Sequence, residues 1–364
     1  MNILFISHDA SRTGAPLALL SLLAELKKQR TDNAIKIDVL LLGDGELCKA
    51  YAQVADRLFK AFSVRKQMLW RRLWGRICNR YHLIYANTVV SLPMACSIQK
   101  HSGVPVLLHV HESEYLMQTQ MPNVALLKKC SRIIAVSPLV KEVLKSKYEV
   151  DESSITVVYP ISALPAIAQP TEVLKHSFQL PSNHFVIGLV GSSDVWLKGI
   201  DLLPLVMKRC ADKQPDAEIH FVWVGKIYGD TKKQLQYDLD KMGVAKHFTY
   251  LGVIDSPQPV YEKFDMLLLL SRSESFSLVG MECAQLGKPI VCMESVIGIA
   301  DVLGPEAVIT VPYLSIDAMA DAILQLYSHK DLASRLGAAA HEKVQKCWSD
   351  NSEKLIKEIY DAAK

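Results

Sequence analysis

The chain has 364 residues, half of them hydrophobic and 22% charged, with a formal net charge of +3. That length allows two domains with proper cores, and the balance is that of an ordinary soluble globular protein rather than a disordered or fibrous one. No apolar run approaches the roughly 18 residues of a membrane-spanning helix, and the eight cysteines show neither a C-x-x-C pair nor a histidine at zinc spacing, so they read as buried thiols in a reducing compartment.

Met1 runs straight into an apolar strand at 2–6, which leaves no room for a signal peptide and points to the cytoplasm. The strand ends at Ser7-His-Asp-Ala-Ser-Arg-Thr-Gly14-Ala-Pro16, ahead of an apolar-periodic helix over 15–29. Gly14 permits close backbone approach and Pro16 suits a first helical turn. A strand over 35–42 and a helix over 46–58 follow. From Asp56 to Glu112 there is no acidic residue, while nine Lys and Arg accumulate. Within this stretch a basic helix is expected over 64–80, with Arg72, Arg76 and Arg80 in one row and Trp70 and Trp74 in another. Arginines beside tryptophans suit an anionic lipid surface or a lipid-linked diphosphate. No recognised nucleic-acid module surrounds them. A strand over 82–86 ends at Asn87, a candidate on the acceptor side or a turn cap. After a helix over 91–101, the strand 105–109 runs into Val110-His111-Glu112. Elements over 132–136, 138–147 and 155–158 complete the first half. The stretch from Tyr159 to Pro170 holds three prolines and reads as a linker.

The second half restarts at a strand over 185–190. It runs into Val190-Gly191-Ser192-Ser-Asp-Val-Trp-Leu-Lys198-Gly199, where a glycine turn and a helix start form an anion site with a lysine at its rim. Strands over 218–224, 247–251, 266–270, 289–292 and 307–310 alternate with helices, so two doubly wound units are expected. Asp238-Leu-Asp240 falls in a helical pattern rather than at a strand end, unlike a metal-binding D-x-D. Glu274 and Glu282 stand eight positions apart in Ser-Glu-Ser-Phe276-Ser277-Leu278-Val-Gly-Met-Glu-Cys-Ala, after the strand 266–270 and across a helix over 278–286. Glu274 then sits where open α/β sheets bind ligands, beside free helix-start amides that suit a phosphate. The tail 348–363 is amphipathic, with Leu355, Ile356, Ile359 and Tyr360 on one stripe.

The segment from Ser273 to Ala284 resembles the E-x7-E string of glycosyltransferase family 4, the retaining nucleotide-sugar transferases of the GT-B fold, and the resemblance covers most of the chain. It implies two Rossmann-like domains facing a cleft: 1–165, acceptor-binding and braced by a returning helix 348–364, and 166–347, donor-binding. It implies a sugar moved from a nucleoside diphosphate, UDP-hexose or UDP-N-acetylhexosamine, to a glycan or lipid-linked acceptor hydroxyl in bacterial surface polysaccharide synthesis. Gly14 would lie under the diphosphate and His111 close to the anomeric carbon. Gly191, Ser192, Lys198 and the amides of Phe276, Ser277 and Leu278 would hold the phosphates, Glu274 the sugar hydroxyls and Glu282 the ribose. Family members show an arginine near the start of the 191–199 loop, where this chain has Ser192 or Ser193. Neither a metal nor another cofactor is expected, since lysine and amides already face the diphosphate. The alternatives are a nucleotide-sugar 2-epimerase of similar fold and a non-catalytic partner subunit.

Overall fold

Strand β1 (Asn2–Ser7) is buried over all but its first residue, as a parallel strand covered by helices on both faces must be. It belongs to a computed structural model that describes residues 1–28, 35–63, 66, 80–121, 123–160, 183–191, 194–254 and 256–364, side chains 348 and 349 excepted. From β1 the chain winds outward through α1 (Gly14–Lys28), β2 (Lys36–Leu41), α2 (Cys48–Val54) and β3 (Arg57–Lys60). It then returns to the other side of β1 with β4 (Leu83–Asn87), α3 (Leu92–Ser102), β5 (Val106–Val110), α4 (Glu114–Gln120), β6 (Arg132–Ala135), α5 (Pro138–Tyr148) and β7 (Ile155–Val157). The parallel sheet has the order β3-β2-β1-β4-β5-β6-β7, so the winding reverses between β1 and β4. Register sets Ser7 beside Asn87 and Asn87 beside His109, which brings three polar residues into one row at the carboxyl ends of the strands.

The helix expected over 46–58 is wrong in its last part. Helix α2 stops at Val54, and Arg57–Lys60 is instead the edge strand β3, paired with Asp38–Leu41. The Asp56 carboxylate accepts the Ile37 N–H at 2.8 Å, which turns the chain into the sheet. A four-residue edge strand is too short for its alternation to stand out against a neighbouring helix.

The second sheet repeats the plan. Its elements are β8 (Phe185–Val190), α6 (Val195–Lys198), α7 (Leu203–Lys213), β9 (Ile219–Val224), α8 (Thr231–Lys241), β10 (Phe248–Gly252), α9 (Gln258–Tyr261) and β11 (Met266–Leu269). They continue with α10 (Leu278–Gln285), β12 (Ile290–Met293), α11 (Gly298–Leu303), β13 (Val308–Val311), α12 (Ile316–Ser328) and α13 (Lys330–Ala362). The order is β10-β9-β8-β11-β12-β13, all pairs parallel, with the reversal between β8 and β11. Asp238 and Asp240 lie within α8.

Two compact units result: Met1–Ala163 with Cys347–Lys364, and Leu164–Lys346. The first has a core of strand residues such as Phe5, Val39, Tyr85 and Leu107, joined by Leu355, Ile356 and Ile359 from the end of α13. Truncating a buried isoleucine of this kind to alanine costs about 2–5 kcal/mol, so the tail is part of the first unit's stability. Tyr360 is not on that stripe and stays exposed; Ala362 continues it. Ile187, Leu189, Phe221, Leu268 and Val291 centre the second core. Among the described residues no helix is long and apolar enough to cross a membrane.

Candidate functional site

In the second unit the two loops that flank the reversal carry the expected groups. The loop after β8 turns at Gly191, φ +153°, and ends in the short helix α6, capped by Asp194 accepting the Leu197 N–H at 2.7 Å. Gly199, at φ +63°, closes that turn so tightly that a Cβ would stand 2.1 Å from the Leu270 carbonyl oxygen. Only glycine fits such a position. The Lys198 stem passes back over Gly191, and its Nζ meets Glu274 Oε1 at 3.0 Å.

Glu274 is held from several sides. Ser271 Oγ donates to Oε2 at 2.7 Å, and the Glu274 backbone bridges to Val296 and Gly298 at 2.8 and 3.1 Å. Burial pushes its carboxyl up, but the Lys198 ammonium and the hydroxyls of Ser271 and Ser277 outweigh burial and hold it below the usual glutamate range. The carboxylate is therefore ionised, half-buried and fixed in orientation. Ser277 stands at φ +93°, ψ 92° and caps α10, its Oγ accepting the Gly280 N–H at 3.1 Å. A non-glycine residue in such a region costs on the order of 1–3 kcal/mol and is characteristic of ligand sites.

One expectation shifts here. Helix α10 begins at Leu278, so Phe276 precedes the cap. Its side chain is buried and its carbonyl accepts the Ile299 N–H at 2.8 Å. The amides of the open first turn are those of Leu278 and Val279, which have no intrahelical acceptor. Glu282 sits on the half-buried side of α10. Ser192 lies outside the described residues. Two contributors were missed: Ser271, and Arg272, whose guanidinium pairs bidentately with Asp201 at 2.9 and 2.8 Å and donates to the Val195 and Trp196 carbonyls at 3.2 and 3.1 Å. The sequence signal for both was their place between a buried strand and Glu274.

In the first unit Gly14 opens α1 and is exposed, with Leu17 N–H returning to the Thr13 carbonyl at 3.1 Å. Asn87, fully buried, donates its side-chain amide to the Ala15 carbonyl at 3.0 Å, which ties the end of β4 to the start of α1. His111 follows β5, its ring 4.0 Å from that of His109, which is itself bonded to the Tyr85 hydroxyl. Burial, with His109 and His8 alongside, drives the His111 imidazole well below the ordinary histidine value, and burial pushes His109 down to about 3. Both are neutral at physiological pH. Asn87 Oδ1, His109 Nε2 and Ser113 Oγ are buried with no partner among the described residues. Each such atom left without a partner costs roughly 1–3 kcal/mol.

Arg72 and Arg76 lie outside the described residues, as do Trp70 and Trp74. Arg80 is described. Its guanidinium donates to the Tyr81 hydroxyl at 2.9 Å and stands 3.5 Å from the buried Asp38 carboxylate. Among the described residues no group of three or more His, Cys, Asp or Glu could hold a metal ion.

Two doubly wound parallel sheets, each with polar groups at its reversal point, define the GT-B class. Two family models match: Glycosyltransferase Family 4 over residues 22–161 and Glycosyl transferases group 1 over residues 184–329, one on each sheet and together most of the chain. The chain belongs to the family-4-type glycosyltransferases. It is 25% identical over 226 residues to the D-inositol 3-phosphate glycosyltransferase of Corynebacterium urealyticum, 58% of this chain and 52% of that protein. It is 20% identical over 296 residues to the mannosylfructose-phosphate synthase of Agrobacterium fabrum, 77% of this chain and 64% of that one. The matched region thus spans about half the length of the first of these relatives. Similar solved structures are Anabaena Alr3699/HepE in complex with UDP, TM-score 0.82 at 18% identity over 99% of this chain and 100% of that one. The sucrose-phosphate synthase of Thermosynechococcus elongatus follows at 0.79 and 17%, covering 99% of each chain. At such identities the likeness is one of fold.

Proposed function

We propose that this protein is a retaining glycosyltransferase that moves a hexose-type sugar from a UDP-sugar to an acceptor hydroxyl. The observation that carries the reading is the Lys198–Glu274 pair at 3.0 Å, set beside the open first turn of α10 at the carboxyl ends of β8 and β11. It joins a cation and helix amides for a diphosphate to an ionised carboxylate for sugar hydroxyls. The similar Anabaena Alr3699/HepE has been solved with UDP-glucose, which supports this choice of donor.

Lys198 carries three donors, so it can keep one on Glu274 and offer another to a phosphate oxygen. Its charge and the Leu278 and Val279 amides stabilise the departing diphosphate, a contribution of about 2.7–4 kcal/mol per preorganised donor. Glu274 accepts from the sugar hydroxyls and Glu282 from the ribose. In the first unit neutral His111 donates to the sugar as the glycosidic bond breaks. Retention follows from front-face attack, with the leaving phosphate taking the acceptor's proton. Transfer needs no added metal and should persist in excess EDTA; an absolute requirement for Mn²⁺ or Mg²⁺ would overturn that part. The acceptor is a glycan or a lipid-linked one of bacterial surface polysaccharide synthesis, and the basic stretch with Arg72 and Arg76 is the region assigned to anionic lipid.

The test is UDP release from a panel of UDP-sugars, with and without acceptor. Transfer gives UDP and a glycoside of retained anomeric configuration. An isomerised sugar would make the protein a 2-epimerase, and no release from any donor would make it an inert subunit.

A further inference from the structure

Glu112 is 4% exposed and lies beside His111, and among the described residues it forms no ion pair with a lysine or arginine. Both of its oxygens are occupied by backbone. Oε1 accepts the Val89 N–H at 3.0 Å and Oε2 accepts the His111 N–H at 3.1 Å. Val89 belongs to the turn after β4 and His111 to the turn after β5, so one carboxylate ties two adjacent strand ends together. The turn it reaches is strained: Thr88 stands at φ +100°, with its N–H on the His109 carbonyl at 2.9 Å and its hydroxyl 3.2 Å from His8 Nδ1. Such a conformation persists only where surrounding contacts over-determine it.

We infer that Glu112 is the positioning residue of this site, its carboxylate fixing the backbone of His111 against the turn after β4 and thereby setting where the imidazole stands. The inference rests on the transferase reading for the role of His111, while the clamp itself does not. A buried carboxylate accepting two N–H groups is a strong, directional fixture, because each bond to an ionised acceptor is about twice as strong as a neutral one. Glutamine in its place turns an NH₂ toward one of the two N–H groups, which cannot accept.

The same carboxyl gives the site a pH response. Burial raises it, and the amides of Val89 and His111 with the Thr88 hydroxyl only partly oppose this, leaving it at about 7. The titratable groups on the elements around it are His8 and Asp9 from the loop after β1, Tyr85 on β4, and His109 and His111 on β5 and its turn. His8, His109 and His111 are all held below the ordinary histidine range, and Tyr85 is raised by burial. Near neutrality the group that changes charge here is therefore Glu112, and its protonation weakens both clamp bonds.

The test follows the ring of His111 by NMR in histidine-labelled protein, its signal identified by loss in His111→Gln, alongside UDP release from the best donor. In folded Glu112→Gln the His111 ring signals should move while those of His341 in the other unit stay. Turnover should fall about 10- to 100-fold with donor KM within about twofold, as for an interaction realised in the transition state. In the wild type the His111 signals and kcat should change together through pH about 7, a dependence lost in Glu112→Gln. Glu112→Asp, one methylene shorter, should displace His111 while keeping a charge-dependent pH response, and it carries the test if the glutamine variant does not fold. His111 signals identical to wild type in a folded variant would overturn the proposal. Displaced signals in a protein that turns over no donor would refute the transferase reading and leave the clamp standing.

Discussion

The two sheets share one winding plan, and each places a non-glycine residue at strongly positive φ beside its reversal point: Thr88 at +100° in the first, Ser277 at +93° in the second. The chemistry at the two points differs. The first gathers neutral imidazoles, an amide and hydroxyls, with Asn87 Oδ1, His109 Nε2 and Ser113 Oγ buried and without partner among the described residues. The second sets a half-buried ion pair beside an open helix turn. A doubly wound sheet thus fixes where a ligand is met, while the side chains decide whether what is met carries charge. The diphosphate suits the second point.

Removing the charge-bearing groups should break this division most severely. Glu274→Ala should lower kcat/KM by about 10²–10³ while UDP alone still binds, and Lys198→Ala should lower both catalysis and UDP affinity, because its cation faces the phosphates. His111→Ala should cost about 10² in turnover and leave UDP affinity unchanged. UDP release and calorimetry separate the three. Undiminished transfer by Glu274→Ala would sink its assignment, and weakened UDP binding by His111→Ala would erase the contrast between the two points.

Glu112 and Glu274 should also answer pH in opposite directions. Glu112 titrates at about 7 in the fold, above the ordinary 4.5. The folded state therefore holds its proton where the unfolded chain has lost it, and stability falls as pH rises from about 4.5 to 7. At about 1.36 kcal/mol per unit, the difference between wild type and Glu112→Gln across this window should reach about 3 kcal/mol at most. Glu274 is shifted the other way, so its contribution is present above the ordinary glutamate range and lost as pH falls. Urea unfolding of wild type, Glu112→Gln and Glu274→Gln at acid and neutral pH checks both signs. The same sign for both variants would contradict the electrostatics of one site.

Glu282 tests the donor side alone. A ribose contact is shared by ground and transition states, so Glu282→Ala should weaken UDP about tenfold with kcat little changed. Equal UDP affinity in variant and wild type would remove Glu282 from the site.

Much of this was legible in the sequence because it rests on short-range pattern. Apolar runs gave the buried parallel strands, and Gly191, Lys198 and Glu274 stand at strand ends that such runs locate. What the sequence hid depends on contacts between distant segments. Ser271 matters because it points at Glu274, and Asn87 because Ala15, seventy-two positions away, presents its carbonyl. Glu112 had no role assigned from the sequence, since its contact needs Val89 from another strand end. Arg80 was grouped with Arg72 and Arg76 by helical spacing, whereas Asp38 on β2 and the adjacent Tyr81 claim its guanidinium. Strand β3 was lost because four edge residues carry too little periodicity.

The smallest effect expected comes from Arg272, which touches neither sugar nor phosphate in the proposed scheme. Its guanidinium grips Asp201 with two bonds of 2.9 and 2.8 Å and the carbonyls of Val195 and Trp196 at 3.2 and 3.1 Å, and its own N–H reaches the Leu197 carbonyl at 2.9 Å. These bonds stitch the turn that presents Lys198 to the loop that presents Glu274. A lysine keeps the charge but lacks the planar fork, so it cannot hold the carboxylate and both carbonyls at once. Arg272→Lys should loosen the Lys198 turn without removing Lys198, and UDP affinity should fall about three- to fivefold, roughly half to two-thirds of the free energy of a tenfold change. Asp201→Asn should give a similar loss, and the double variant little more than either, since both break one fixture. Additive losses in the double variant would mean that Arg272 and Asp201 act separately, and unchanged affinity in all three would mean that Lys198 is held in place by Glu274 and the backbone alone.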